Sequence, residues 1–247
     1  MAISDYLKRD IPFLYKDDYL LAVDKPAGII VHADGNNEVT LTDLVREKLQ
    51  SLQKEPLDNV SSQLQAINRL DKETTGIVLF SLKKETQPVF DQMVAIKHMR
   101  KEYLVAVKGQ FDEEFMRIDK PIGKDRHDAQ KMRISQAGKC AQTEVKRVAY
   151  VCSSQGKAIT LLLVRILTGR RHQIRVHLSS LGFPVVGDIL YGGISRPQGN
   201  ARKKRSQPLM LHAYMVSFTH PIIGQEIVIK TEIPQRFSYF GLTEQLL

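Results

Sequence analysis

The sequence predicts an α+β protein in which helices and loops flank a mixed, largely antiparallel central sheet. Strand-like segments are scattered along the chain and mostly lack the β-α-β order of a parallel sheet. Apolar residues follow helical spacing in only three stretches, 41–52, 84–98 and 168–182. No linker interrupts the 247 residues, so we expect a single domain over 1–247.

The first third of the chain predicts a strand, a Pro-Gly turn and a second strand over 19–32, and then a helix. Thr40 is the expected N-cap of that helix, because Asp43 follows three residues later. Its expected inner face is Leu41, Leu44, Val45, Leu49 and Leu52. The apolar run 76–82 predicts a buried strand, and a helix is expected over 84–98. The expected inner face of this second helix is Val89, Phe90, Met93 and Val94.

Further strands are predicted over 101–109, 142–152, 158–167, 209–218 and 225–231. The charged stretch 110–140 is expected to be irregular. A short helix that ends at Gly182 is predicted over 168–182. Residues 192–208 are rich in Gly, Pro and basic side chains, which predicts a surface loop.

The composition points to a polyanionic partner in the cytoplasm. Lys and Arg number 36 against 27 acidic residues, which gives a net charge of +9 and a pI near 9.5. Such an excess favours nucleic acid, although a generically basic soluble protein is the alternative. Cys140 and Cys152 are too few for a disulfide framework. We expect a cytosolic protein, because no apolar run approaches the roughly 20 residues of a membrane span and no signal peptide is evident.

The segment NRLDKETTGIVLF (68–80) places an aspartate on a turn just before a buried strand. Asp71 follows Arg69 by two residues, and a guanidinium favours an ionised, fixed carboxylate, as a nucleophile or base requires. The alternative is an ordinary Asx-type turn with a surface ion pair.

The segment LTGRRHQIRVHL (167–178) concentrates basic residues at a helix start. Arg171 and Arg175 share a helical face, and Arg170 stands where a cation opposes the helix dipole, so an anion should offset it. That anion would be a phosphate or a carboxylate such as Asp71, whereas a solvated basic face is the alternative. His172 and His177 lack the further ligands of a zinc site, and we expect no metal.

Five ordered blocks resemble the RluA-like family of pseudouridine synthases over residues 17–237. They are VDKPAGIIVH (23–32), NRLDKETTG (68–76), KEYLVAVKG (101–109), LTGRRHQIRVHLSSLGFPVVGDILYGG (167–193) and LMLHAYMVSFTHPIIG (209–224). Two departures stand in the second block, since Asn68 replaces the family's usual His and Thr75 replaces the usual Ser. The resemblance implies the pseudouridine synthase fold with an RNA-binding cleft, in a compact member without an added N-terminal RNA-binding module.

The resemblance also implies an isomerase that flips uridines of ribosomal or transfer RNA out of the stack and converts them to pseudouridine. Asp71 would be the catalytic carboxylate, as nucleophile or base. Tyr103 would stack on the uracil, and Arg175 would pair with Asp71. Substrate-binding roles would fall to Arg69, Thr75, Arg170, Arg171, His172 and Gln173. The RNA backbone would meet Arg196, Arg202, Lys203, Lys204 and Arg205. No cofactor is expected, and we expect a monomer.

Two other functions are alternatives to this one. DKETTG superficially echoes an aspartyl-phosphate phosphotransferase signature, but Glu73 interrupts the spacing and Asp188 lacks a second acidic partner for magnesium. A catalytically inactive RNA-binding protein or RNA chaperone would explain the basic charge. Binding alone would not require a carboxylate, such as that of Asp71, beside the phosphates of an RNA.

Overall fold

The computed structural model describes residues 11–33, 35, 38–52, 63–152, 156–192 and 207–247. The predicted basic loop therefore lies almost wholly outside the described residues. The strands are β1 Phe13–Lys16, β2 Leu20–Lys25, β3 Gln65–Ala66, β4 Thr75–Ser81, β5 Arg100–Lys108, β6 Phe115–Asp119, β7 Ile122–Lys124, β8 Met132–Ile134, β9 Gln142–Cys152, β10 Ala158–Ile166, β11 Leu211–Thr219 and β12 Glu226–Lys230. The helices are α1 Leu41–Leu52, α2 Gln87–Ala95, α3 Gln173–Ser180 and α4 Gln235–Ser238, with 3₁₀ turns at Lys84–Thr86 and Glu244–Leu246.

Two compact units divide the chain. The first unit comprises 1–99 and 215–231, and the second comprises 100–214 and 232–247. Strand β11 begins in the second unit and ends in the first. The single domain over 1–247 stays a prediction.

In the first unit, strand β4 lies between two apolar layers. β1, β2 and β4 follow one another in antiparallel order, the short β3 also pairs with β4, and β12 pairs with 215–219 of β11. Val78 and Phe80 belong to the core cluster that includes the inner face of α1, whereas Ile77 and Leu79 belong to the cluster that includes α2. Since successive side chains of a strand point to opposite faces, burial on both faces explains the continuous apolar run.

Helix α1 begins with the predicted reciprocal cap. The Asp43 N–H donates to Thr40 Oγ1 at 3.2 Å, and the Thr40 N–H donates to Asp43 Oδ2 at 3.1 Å. The predicted inner face is confirmed except at Leu52, which is 63% exposed. The second strand predicted within 19–32 is wrong, because the carbonyls of Ile30 and Val31 accept hydrogen bonds from the first N–H groups of α1 instead.

In the second unit, β5, β10, β9 and β6 lie side by side in antiparallel order, and β7 and β8 form a separate hairpin. The prediction that 110–140 is irregular is wrong, since it contains β6, β7 and β8. These strands are three to five residues long and bury little, so no alternation of apolar residues reveals them.

The remaining elements largely match the predictions. The helix expected over 84–98 is confirmed but shorter, and Val89 is exposed rather than part of its inner face. The strands predicted after residue 100 are all present. Every strand pair with a described register is antiparallel, and the α+β class is confirmed. Among the described residues, no helix combines the length and apolar character needed to span a membrane.

Candidate active site

Asp71 lies on the short loop between β3 and β4, in the first unit. Its side chain is partly exposed, and its carbonyl accepts the Thr74 N–H at 3.1 Å, which closes a tight turn. The next carbonyl, that of Lys72, accepts two hydrogen bonds: from the Gly28 N–H at 2.9 Å and from Lys25 Nζ at 3.0 Å. The loop is thus tied to the Pro-Gly turn that follows β2.

Lys25, which makes that tie, is fully buried. Its Nζ also donates to the Pro26 carbonyl at 2.9 Å. Burial lowers the pKa of Lys25 to about 8, although the nearby charges of Glu73, Asp71 and Asp24 act in the opposite direction. At neutral pH the ammonium stays mostly protonated. The buried positive charge of Lys25 therefore acts on the Asp71 carboxylate, and both residues belong to the first unit.

The side chains around Asp71 differ in exposure. Arg69 is exposed. The pKa of His32 is lowered, first by the partial burial of His32 itself and second by the positive charge of Arg69. Thr75 is buried as the first residue of β4. The buried hydroxyl oxygen of Thr74 has no hydrogen-bond partner among the described residues. The substrate-binding roles of Arg69 and Thr75 stay predictions.

Arg175 lies on α3 in the second unit, where a bidentate ion pair holds it. Its Nε donates to Asp188 Oδ2 at 2.7 Å and its Nη2 donates to Asp188 Oδ1 at 2.9 Å. The side chains of Arg175 and Asp188 are 8% and 0% exposed. Burial alone would raise the pKa of Asp188, but Arg175 and the N–H groups of Leu190 and Tyr191 lower it below its usual range. Asp188 therefore fixes the orientation of the planar, charged guanidinium of Arg175.

Tyr191 joins this pair to His172 at the start of α3. The Arg175 guanidinium lies over the Tyr191 ring, 5.1 Å from its centroid. The Tyr191 hydroxyl accepts the Met132 N–H at 2.8 Å and shares a second hydrogen bond, of 2.7 Å, with His172 Nδ1. His172 has a left-handed backbone (φ 56°), which ends the preceding turn and delays the helix to Gln173. The helix predicted over 168–182 is therefore confirmed in type but begins later.

Gln173 and His177 belong to a buried polar network beneath that helix. The Gln173 amide donates to Thr143 Oγ1 and to the Gln142 carbonyl, both at 2.9 Å, and accepts from Thr168 Oγ1 at 2.7 Å. His177 bonds Thr143 Oγ1 and the Lys120 carbonyl, both at 2.9 Å. Burial is the main cause that lowers the pKa of His177. Both side chains therefore hold α3 in place, and the substrate contact of Gln173 stays a prediction.

Arg170 and Arg171 are exposed and each bonds a backbone carbonyl of the preceding segment. Arg170 Nε donates to the Cys140 carbonyl at 2.9 Å, and Arg171 Nη2 donates to the Gln130 carbonyl at 3.2 Å. These bonds use only part of each guanidinium, which carries five N–H donors. Both residues keep the exposure that a phosphate contact requires.

Tyr103 lies in β5, opposite Val164 of β10, and is 6% exposed. The predicted contact of its ring with uracil stays a prediction. The predicted pairing of Arg175 with Asp71 also stays a prediction. The ion pair that the structure describes for Arg175 is with Asp188. Arg196, Arg202, Lys203, Lys204 and Arg205 lie outside the described residues.

Each unit thus gathers part of the predicted set. The first unit holds Asp71, Arg69 and Thr75, and the second holds Tyr103 and the residues from Arg170 to Arg175. The sequence-based reasoning missed the roles of Lys25, Asp188 and Tyr191. Their signal was present, since they stand in the VDKPAG and GDILYGG segments of blocks already recognised. In the described parts of the chain, no group of three or more His, Cys, Asp or Glu side chains suits a metal ion.

Comparison with known proteins identifies the family. Residues 19–180, more than half of the chain, match the family model described as RNA pseudouridylate synthase. The chain belongs to this family. The matched region contains Lys25, Asp71, Tyr103 and Arg175, and the RluA-like resemblance is confirmed.

Two curated relatives illustrate the similarity. One is the ribosomal large subunit pseudouridine synthase D of Nitrosomonas europaea, which is 33% identical over 226 residues, 91% of this chain and 62% of that protein. The other is the tRNA pseudouridine synthase C of Pasteurella multocida, which is 33% identical over 236 residues, 92% of this chain and 93% of that protein. The chain therefore spans nearly all of one relative but less than two thirds of the other.

A solved structure supports the fold. The human RNA pseudouridylate synthase domain containing 4 superposes with a TM-score of 0.70 at 26% identity, and the match covers 96% of this chain and 93% of that one. The predicted pseudouridine synthase fold is confirmed.

Proposed function

We propose that this protein converts specific uridines of ribosomal or transfer RNA to pseudouridine, with Asp71 as its catalytic carboxylate. The observation that carries the proposal is the match to the family model over 19–180, which includes the Asp71 loop. The relatives support an RNA substrate, because their names specify the large ribosomal subunit and tRNA. They favour an active isomerase over an inactive RNA chaperone or a phosphotransferase.

The reaction needs a carboxylate that is fixed in place. The bond between C1′ and N1 breaks, the uracil turns, and a bond forms between C1′ and C5 while a proton leaves C5 and N1 gains one. Atoms and electrons balance without an oxidant or reductant, so the reaction needs no redox cofactor, and we expect no metal. Asp71 acts on the nucleotide as nucleophile or base, and the buried Lys25 ammonium contributes to the field at the carboxylate.

The second unit would recognise the flipped nucleotide. Tyr103 would stack on uracil, which is typically worth about 1–3 kcal/mol per base. Arg175, already fixed by Asp188, would pair with Asp71 and keep it ionised. Arg170, Arg171 and the basic loop would bind phosphates, Arg69 would help displace the base, and the enzyme would act as a monomer in the cytoplasm.

The test uses the purified protein and RNA from cells that lack its gene. Ribosomal and transfer RNA are incubated separately with the protein, and pseudouridines are mapped in each. We expect new pseudouridine at one or a few defined uridines in one of these RNA classes. Absence of new pseudouridine in both classes would contradict the proposal.

A further inference from the structure

Asn68 stands where β3 ends and the Asp71 loop begins, and its side chain pairs with the backbone of β4. Its Oδ1 accepts the Leu79 N–H at 2.7 Å, and its Nδ2 donates to the Ile77 carbonyl at 3.3 Å. Just before it, the Ile67 N–H donates to the Leu79 carbonyl at 2.8 Å. The ladder between β3 and β4 is therefore closed by the side chain of residue 68.

Because the Asn68 side chain makes these hydrogen bonds to β4, the backbone after Asn68 can turn away from the sheet. Beyond Asn68 the backbone leaves the sheet, and Asp71 follows three residues later. The other side of the loop is tied at the Lys72 carbonyl, by Lys25 Nζ and the Gly28 N–H. The loop that carries Asp71 is thus fixed on both sides of the carboxylate, and Asn68 supplies the tie on the N-terminal side.

We infer that Asn68 is a positioning residue, whose amide fixes the direction in which Asp71 meets the nucleotide. This inference rests on the proposed function. Ile77 and Leu79 are buried, so water does not readily replace the amide at these two groups. A histidine at this position, which is the usual residue of the resembled family, has one nitrogen and one carbon at the two δ positions of its ring, where asparagine has an oxygen and a nitrogen. That nitrogen either accepts from Leu79 or donates to Ile77, but does not do both.

The variant Asn68→Ala removes both hydrogen bonds, and Asn68→His restores one of them. We expect kcat of Asn68→Ala to fall by about ten- to a hundredfold, because small displacements of a catalytic group are costly. The affinity for RNA should change little, since the proposed phosphate contacts lie in the second unit. Asn68→His should have a kcat between those of Asn68→Ala and the unchanged protein.

Ser81→Ala provides a matched control at the far end of β4. The buried Ser81 hydroxyl bonds the Lys83 carbonyl at 2.8 Å and Thr86 Oγ1 at 3.0 Å. Its loss should weaken the same strand without touching the Asp71 loop, so kcat should stay at the level of the unchanged protein. All variants are compared by kcat from multiple-turnover kinetics on one RNA, at a temperature where circular dichroism shows each to be folded. If Asn68→Ala does not fold, the reduced kcat of Asn68→His carries the test.

Equal kcat for the unchanged protein and the Asn68 variants would overturn the inference. An equal loss in Ser81→Ala would also overturn it, because the effect would then reflect strand stability. A complete lack of turnover by the unchanged protein would instead overturn the proposed function.

Discussion

Replacement of Asp188 by Asn should destabilise the fold strongly, because Asp188 is the buried partner of Arg175. The Asp188 side chain is fully buried, and two charge-assisted hydrogen bonds of 2.7 and 2.9 Å join it to Arg175. Asparagine keeps the shape and an acceptor for the N–H groups of Leu190 and Tyr191, but leaves the guanidinium buried without a counter-charge. Loss of one partner from a buried pair costs about 3–5 kcal/mol in free energy of unfolding.

The loss should depend on pH in a defined direction. The pKa of Asp188 is lowered in the folded protein, so its contribution is fully present above the pKa of the unfolded carboxyl, which is about 3.9. The contribution disappears as pH falls through the lower pKa of the folded state. The difference in stability between the two proteins should therefore be constant from about pH 8 to 5 and should shrink below about pH 4.

Urea unfolding monitored by circular dichroism measures the effect, and Glu38→Gln is its control. Glu38 forms an ion pair with Lys72 at 2.7 Å, but both side chains are about half exposed. Removal of an exposed pair should cost less than about 1 kcal/mol. If Asp188→Asn costs no more than Glu38→Gln, or if its cost does not change below pH 4, the reasoning about this buried pair is wrong.

Other predictions concern backbone, protonation and RNA affinity. Gly187→Ala should lower the melting temperature far more than Gly28→Ala. Both glycines have positive φ, but only at Gly187 would a Cβ lie 2.1 Å from the Pro208 carbonyl oxygen. Equal decreases in melting temperature would contradict this reasoning. Burial, followed by a nearby arginine charge, lowers the pKa of His212 to about 3, so the folded state excludes a proton that the unfolded state binds below about pH 6.5. As the pH falls below about 6.5, this residue should lower the free energy of unfolding by about 1.4 kcal/mol per pH unit. Unfolding measurements on His212→Met over the same pH range should lack that contribution. Salt titrations of RNA binding test the basic loop, where each lost phosphate contact should flatten the log–log slope by about 0.7 to 0.9, and an unchanged slope would assign the loop to solubility alone. The loop substitutions replace Arg202, Lys203, Lys204 and Arg205 with Ser.

Much of the fold could be predicted where local patterns decide it. The reciprocal cap of α1 and the doubly buried β4 each leave a clear local signal. The short strands within 110–140 do not, because they bury few side chains and their pairing is set by distant segments. The start of α3 was equally hidden, since it depends on the left-handed backbone of His172 and on the hydrogen bonds that Gln173 Oε1 accepts from Thr168 and Arg170 of the preceding turn.

The candidate site divides in the same way. Asp71 could be selected as a candidate because its motif is contiguous, and its catalytic role stays a prediction. The partner of Arg175 was not, because Asp188 stands thirteen residues later and meets it only after α3 and the following turn are folded. Lys25 was missed because a lysine is expected at the surface, and only the folded chain shows its ammonium bound to the loop of Asp71.

The most direct measurement is turnover by Asp71→Asn on an RNA that the unchanged protein modifies. This substitution preserves size and polarity but removes the charge and the nucleophilic or basic oxygen. We expect no measurable pseudouridine, together with RNA affinity and melting temperature close to those of the unchanged protein. Asp91→Asn, at an exposed position in α2 of the same unit, controls for loss of one negative charge and should keep full activity. Appreciable pseudouridine formation by purified Asp71→Asn protein would contradict the assignment of Asp71 as the catalytic carboxylate.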